Sequence, residues 1–148
     1  MQDPSLKDNS RHFVPRFTMR IQFLMSSSTK QTYVAVVDDD EKLCQSFGRL
    51  LRAAGLHSVT YPSAEAYLAD KKKPLFDCLV LDVQLGGMSG IELAQQLAHN
   101  GKHPPFIFIT AHDDPAARAE AEAAGCVAYF QKTDSGAHVL ETIRRIAA

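Results

Sequence analysis

Phe76-Asp77-Cys78-Leu79-Val80-Leu81-Asp82 is the stretch whose reading decides the fold. Four consecutive apolar residues, Cys78 to Leu81, run into a carboxylate and then into a glycine-rich loop, Gly86-Gly87-Met88-Ser89-Gly90. An apolar run this short, bounded by polar residues and glycine, suits a strand buried on both faces. Asp82 then stands at the carboxyl end of a central strand. In open parallel sheets that edge is where ligands bind.

Outward from this strand the chain alternates between two periods. Tyr33–Val37 is a β-branched strand that ends in Asp38-Asp39-Asp40. The spacing then predicts a helix with Leu43, Phe47, Leu50, Leu51 and Ala54 on one face, Asp40 as its cap and Gly55 as its stop. His57–Tyr61 is shorter and more polar, which suits a sheet edge. Ser63 caps a short helix to Asp70, and Lys71-Lys72-Lys73-Pro74 makes a solvated turn. After the Asp82 strand, Ser89 and Gly90 open a helix with Ile91, Ala94, Leu97 and Ala98 inward. Phe106–Ile109 is a second fully apolar strand and ends at Thr110. Asp114-Pro115 caps an alanine-rich helix that Gly125 stops. Cys126–Phe130 is the last strand, followed by Gln131-Lys132. Ser135 starts a final helix with Val139, Leu140, Ile143 and Ile146 on its buried face.

Five strands alternating with five helices imply an α/β fold, a doubly wound parallel sheet with helices on both faces and right-handed crossovers. The order 2-1-3-4-5 puts the most apolar strands, 1, 3 and 4, inside. It also creates a switch point between strands 1 and 3.

Composition limits the functions available. At 148 residues and 45% apolar the chain supports one domain with a proper core. Residues 1–30 hold five Lys/Arg against two Asp/Glu, and the remainder holds eleven against fifteen. The folded part is therefore mildly acidic and lacks the basic stripe of a nucleic-acid binder. Cys44, Cys78 and Cys126 are odd in number and each sits among apolar residues, as buried free thiols of a cytoplasmic protein do. No run approaches the roughly 18 apolar residues a membrane span needs. Residues 1–30, with Pro4, Pro15 and Ser26-Ser27-Ser28, read as a disordered tail or a non-native extension. Phe13, Phe17, Ile21 and Leu24 fall on helical spacing and leave a docking helix open as an alternative.

Parallel strands all finish on one edge. Asp38 and Asp39 after strand 1, Asp82 after strand 3, Thr110 after strand 4 and Lys132 after strand 5 should converge on one small pocket. Three carboxylates cannot stay ionised together at low cost unless a cation sits among them. All-oxygen ligation by few protein groups favours Mg²⁺. A carboxylate nucleophile, a metal, a lysine and a threonine are the parts phosphoryl transfer needs. In that reading Asp82 attacks an in-line phosphorus, Lys132 and Mg²⁺ neutralise its oxygens, and Thr110 hydrogen-bonds one of them. Each residue alone has an ordinary structural reading as a cap, a turn or a solvated side chain; the joint pattern after four strands is what is specific.

These residues resemble a family. Residues 33–146 are similar to response regulator receiver domains, the phospho-acceptors of two-component signalling, and above all to stand-alone receivers of the chemotaxis-regulator kind. The matching motifs are Val36-Val37-Asp38-Asp39-Asp40, Leu81-Asp82 with Met88-Ser89-Gly90, Ile109-Thr110-Ala111 and Tyr129-Phe130-Gln131-Lys132. The resemblance implies a flavodoxin-like receiver domain over 31–148. It implies Mg²⁺ bound by Asp38, Asp39, Asp82 and the backbone carbonyl of Gln84. It also implies phosphorylation of Asp82 by a histidine kinase or a histidine phosphotransfer protein, with any catalysis limited to the domain's own phosphorylation and dephosphorylation. Thr110 and Tyr129 become the switch pair, and the face of the fourth helix, fifth strand and fifth helix becomes the surface for a downstream protein.

Two departures from the pattern stand out. The family usually has a proline in a cis peptide after its lysine, and this chain has Thr133. A cis bond there would cost roughly 3 kcal/mol, so the loop is trans or strained, which bears on the aim of Lys132. The family's Met-Pro pair is Leu85-Gly86 here, which predicts a more flexible acceptor loop. Three other functions compete with the single-domain receiver. One is a fragment of a larger transcription regulator. Another is a receiver-like interaction module that is never phosphorylated. The third is a hydrolase using Asp38 as nucleophile, against which Lys42 stands where Thr or Val is expected.

Overall fold

The computed structural model describes residues 30–148. The expectation for residues 1–30 falls outside them, Lys30 excepted. Five strands form one parallel sheet: β1 (Tyr33–Val37), β2 (His57–Tyr61), β3 (Cys78–Asp82), β4 (Phe106–Thr110) and β5 (Ala128–Gln131), in the order β2-β1-β3-β4-β5. Five helices alternate with them: α1 (Glu41–Ala53), α2 (Ala64–Ala69), α3 (Gly90–His99), α4 (Pro115–Ala123) and α5 (Gly136–Ala147). This is the doubly wound arrangement the alternation predicts, and the flavodoxin-like fold the resemblance implies, with β2 at an edge.

The period of two along the strands sorts the core into two layers. Ala35, Val37, Leu79, Leu81, Phe106 and Phe108 pack with Tyr67 of α2, Ile91 and Leu93 of α3, and Ala121 of α4. Val34, Val36, Val80, Ile107 and Ile109 face the other way, onto Phe47 and Leu51 of α1 and Val139 and Ile143 of α5. Every residue of β3 and of β4 is buried, so their unbroken apolar runs are explained by cover on both faces.

The caps follow the sequence. Asp40 accepts from the Leu43 N–H, Ser63 from Ala66, Ser89 from Glu92 and Asp114 from Ala116, each filling an orphan donor of a first turn. Gly55 and Gly125 end α1 and α4 with φ of 81° and 94°, values that favour glycine. Three details differ from expectation. Ala98 is exposed, and Leu93 takes its place on the buried face of α3. The inward face of α3 is centred on Gly90, Leu93 and Ala94, because the helix begins against the end of β3. On α1, Cys44 and Gly48 are buried while Ala54 lies beyond the last helical turn. The last strand begins at Ala128 rather than Cys126, because Val127 is exposed and its N–H bonds to the Phe106 carbonyl before the ladder begins.

Candidate functional site

The register of the ladders carries the polar residues to one edge. Val37 pairs with Leu81, so Asp38 and Asp82 follow as neighbours. Asp82 pairs with Ile109, and Thr110 with Gln131, which puts Thr110 and Lys132 just beyond. Asp38, Asp82 and Thr110 are buried, at 1%, 3% and 1% exposure, whereas Asp39 is exposed.

Lys132 is the centre of the arrangement. Its Nζ lies 3.0 Å from Asp38 Oδ2 and 3.0 Å from Asp82 Oδ2, and its own N–H donates to the Thr110 carbonyl at 2.7 Å. Thr133 does not spoil this aim. No peptide among the described residues is cis, and Asp134 closes the turn instead. Its carboxylate accepts from the Gln131 N–H at 2.8 Å, and its N–H donates to the Gln131 carbonyl at 2.9 Å. Burial works against the Lys132 ammonium, but its hydrogen bonds to Asp38 and Asp82 outweigh that and raise its pKa overall.

Asp82 is strained electrostatically. Burial first, and the Asp38 charge second, push its carboxyl up from 3.8 to about 6, against the pull of Lys132 and the Gln84 N–H. The Gln84 N–H donates to Asp82 Oδ1 at 3.1 Å. Asp38 Oδ1 accepts from the Asp40 N–H at 2.8 Å, while its Oδ2 is buried and makes no hydrogen bond, its contact with Lys132 being an ion pair. Asp38, Asp39 and Asp82 each offer a carboxylate oxygen within 4.8 Å of the others. Three carboxylates this close, with one ammonium between two of them, leave negative charge that fits a hard divalent cation. A cavity of about 290 Å³ opens beside Asp38 and Asp39.

The threonine hydroxyl donates to the His112 carbonyl at 3.0 Å. The Tyr129 ring is half-buried, 6.4 Å from the Phe108 ring, with its hydroxyl buried; burial raises its pKa, and the nearby Thr110 side chain pulls the other way. Thus Asp38, Asp82 and Lys132 meet directly and Asp39 completes the acid cluster, while Gln84 reaches Asp82 through its N–H. Thr110 donates its hydroxyl to its own loop, and the Tyr129 hydroxyl lies near the Thr110 side chain.

Sequence reasoning missed three contacts. Gly90 opens α3 so close to β3 that a Cβ would lie 1.9 Å from the Asp82 carbonyl oxygen, so the residue after the acid loop must be glycine. Arg118 of α4 sits over the Tyr129 ring at 5.2 Å. Glu65 of α2 accepts from the Met88 N–H at 2.6 Å. The Met88-Ser89-Gly90 motif hinted at the first; no local pattern announces the other two.

Comparison with known proteins bears on the family and the fold. The family model described as "Response regulator receiver domain" matches residues 34–144. The chain is 32% identical over 121 residues to the response regulator protein TodT of Pseudomonas putida, a match covering 82% of this chain and 53% of TodT. It is 35% identical over 112 residues to the transcriptional regulatory protein FixJ of Azorhizobium caulinodans, covering 75% and 53% of the two chains. The chain therefore spans about half the length of the curated relatives it matches. Among solved structures, FixJ-N superposes with a TM-score of 0.73 at 32% identity, covering 80% of this chain and 95% of that one. A response regulator receiver protein from Burkholderia phymatum gives 0.69 at 39% identity, covering 79% and 95%. Architecture and likeness agree, and the chain belongs to the response regulator receiver domain family of two-component signalling.

Proposed function

We propose that residues 31–148 are a phospho-accepting receiver of a two-component or phosphorelay system, with Asp82 as the acceptor. The observation that carries this reading is the Lys132 ammonium held 3.0 Å from both Asp38 and Asp82 at the carboxyl edge of the sheet. A carboxylate oxygen of Asp82 attacks the phosphorus of a phosphohistidine on a histidine kinase or phosphotransfer protein. An O–P bond forms, the N–P bond breaks, and its electron pair stays on the imidazole, which takes up a proton. Lys132 faces the charge that gathers on the phosphoryl oxygens. Asp38, Asp39, Asp82 and the Gln84 carbonyl would hold Mg²⁺, whose charge would offset that of the acids and of the phosphoryl group.

Thr110 would exchange its bond to the His112 carbonyl for one to the phosphoryl group. Tyr129 would settle into the space so vacated, altering the face made by α4, β5 and α5, where a downstream protein reads the state. Because residues 31–148 are mildly acidic, direct binding to nucleic acid is not part of the reading. Among the described residues no helix is long and apolar enough to cross a membrane, in keeping with a cytoplasmic site of action. The greater length of the relatives, one of them a transcriptional regulatory protein, favours a second reading of the output, in which this domain is a fragment of a larger transcription regulator; the full-length gene decides it.

Titration with Mg²⁺ and then beryllofluoride, followed by amide NMR, tests the proposal. Shifts at Asp82 and Gln84 with Mg²⁺, spreading to Thr110, Tyr129 and α4 with beryllofluoride, are expected. Spectra unchanged by both would leave an interaction module that is never phosphorylated.

A further inference from the structure

The loop joining β3 to α3 contains Leu85-Gly86-Gly87, and a glycine pair loses more freedom on ordering than any other. Its two ends are fastened locally. The Gln84 N–H bonds to Asp82, and the Gly90 N–H donates to the Val83 carbonyl at 3.2 Å. Its middle is fastened from elsewhere. Glu65, in the first turn of α2 and 23 residues away in sequence, accepts the Met88 N–H through Oε1 at 2.6 Å. Gly87, with φ of 77°, makes room for that contact: a Cβ there would come within 2.8 Å of the same oxygen. An ionised acceptor makes this a charge-assisted bond, in keeping with the lowered pKa of Glu65, for which the Met88 amide is the first cause.

We infer that Glu65 is a positioning residue for phosphoryl transfer, holding the acceptor loop so that the backbone of Gln84 stays at Asp82. The inference rests on the reading of Asp82 as the acceptor. Glu65 has no contact with the acid cluster itself, so its influence runs through Met88 and the loop. It takes over the stiffening that the family's Met-Pro pair would give at Leu85-Gly86. Gly87, next to the Leu85-Gly86 pair, is what admits the carboxylate.

Amide hydrogen exchange and phosphorylation by acetyl phosphate with Mg²⁺, both on the full chain and well below the melting temperature, test this together. Glu65→Ala should speed exchange at Met88 and its neighbours. It should also slow Asp82 phosphorylation about tenfold, the lower range for losing a group that orients ligands. Glu65→Gln keeps an acceptor oxygen and should restore most of the rate. Gly86→Pro added to Glu65→Ala should also recover rate, because Gly86 has no positive φ and a Cβ there meets open space. A merely structural role would lower the melting temperature of Glu65→Ala and leave the rate of its folded fraction unchanged. A parental rate in Glu65→Ala, or unchanged exchange at Met88, overturns the inference. A parent that takes no phosphoryl group at Asp82 overturns the acceptor reading and the link to transfer with it, while the exchange data still report on the tie.

Discussion

Asp82→Asn should stabilise the metal-free protein, and by an amount that depends on pH. Asp82 is 3% exposed, and burial together with the Asp38 charge raises its carboxyl from 3.8 to about 6. The fold therefore favours the protonated acid. The resulting stabilisation is present below pH ~4 and is lost as pH rises through about 6. Above that, the ionised group costs a little over two pH units at ~1.4 kcal/mol each, or about 3 kcal/mol. Asparagine keeps the shape and an oxygen for the Gln84 N–H, removes the charge, and leaves Lys132 paired with Asp38. Urea unfolding in a chelator, from pH 4 to pH 8, measures the difference. The variant should be more stable by about 2–3 kcal/mol at pH 8, with the gap closing toward pH 4. Saturating Mg²⁺ should stabilise the parent and narrow the gap, since a ligand of the native state adds its binding free energy to stability. A variant no more stable than the parent at pH 8, or a gap that ignores pH, would refute the electrostatic reasoning.

Three further substitutions probe other parts of the site. Lys132→Ala removes the shared partner of two buried carboxylates and should cost about 3 kcal/mol in metal-free unfolding, partly recovered by Mg²⁺, which the variant should still bind. In the same variant, phosphorylation should no longer shift the α4-β5-α5 face in amide NMR. Gly90→Ala drives a Cβ against the Asp82 carbonyl, which is backbone and cannot yield, and should lower stability by about 3 kcal/mol in a thermal melt. Tyr129→Phe removes a hydroxyl that lies near the Thr110 side chain but keeps the ring against Phe108, and should change stability by less than about 1 kcal/mol in urea.

The fold was legible because its signals are local. Apolar runs such as Leu79–Leu81 and Phe106–Ile109, the caps Asp40, Ser63, Ser89 and Asp114, and the stops Gly55 and Gly125 each act within a few residues. Asp38, Asp82 and Lys132 were legible for a related reason: a parallel sheet brings the residue after each strand to one edge. What escaped notice depends on distance in the chain. Glu65 meets Met88 across 23 residues, and Arg118 covers Tyr129 from another element. The inward face of α3 was misjudged at Ala98 because helical spacing fixes a face only after the angle at which the helix meets the sheet is known. The close approach of Gly90 to the end of β3 is a contact between elements that helical spacing does not announce. Thr133 raised a doubt that Asp134 removes by closing the turn three residues after Gln131.

The central claim is that Asp82 becomes phosphorylated in the presence of Mg²⁺. Incubation with acetyl phosphate and Mg²⁺, followed by trapping of the acyl phosphate and mass spectrometric mapping, addresses it directly. The account predicts one phosphoryl group, on Asp82, which chelation of Mg²⁺ and Asp82→Asn each abolish. A label on Asp38, or labelling that survives in Asp82→Asn, would contradict it.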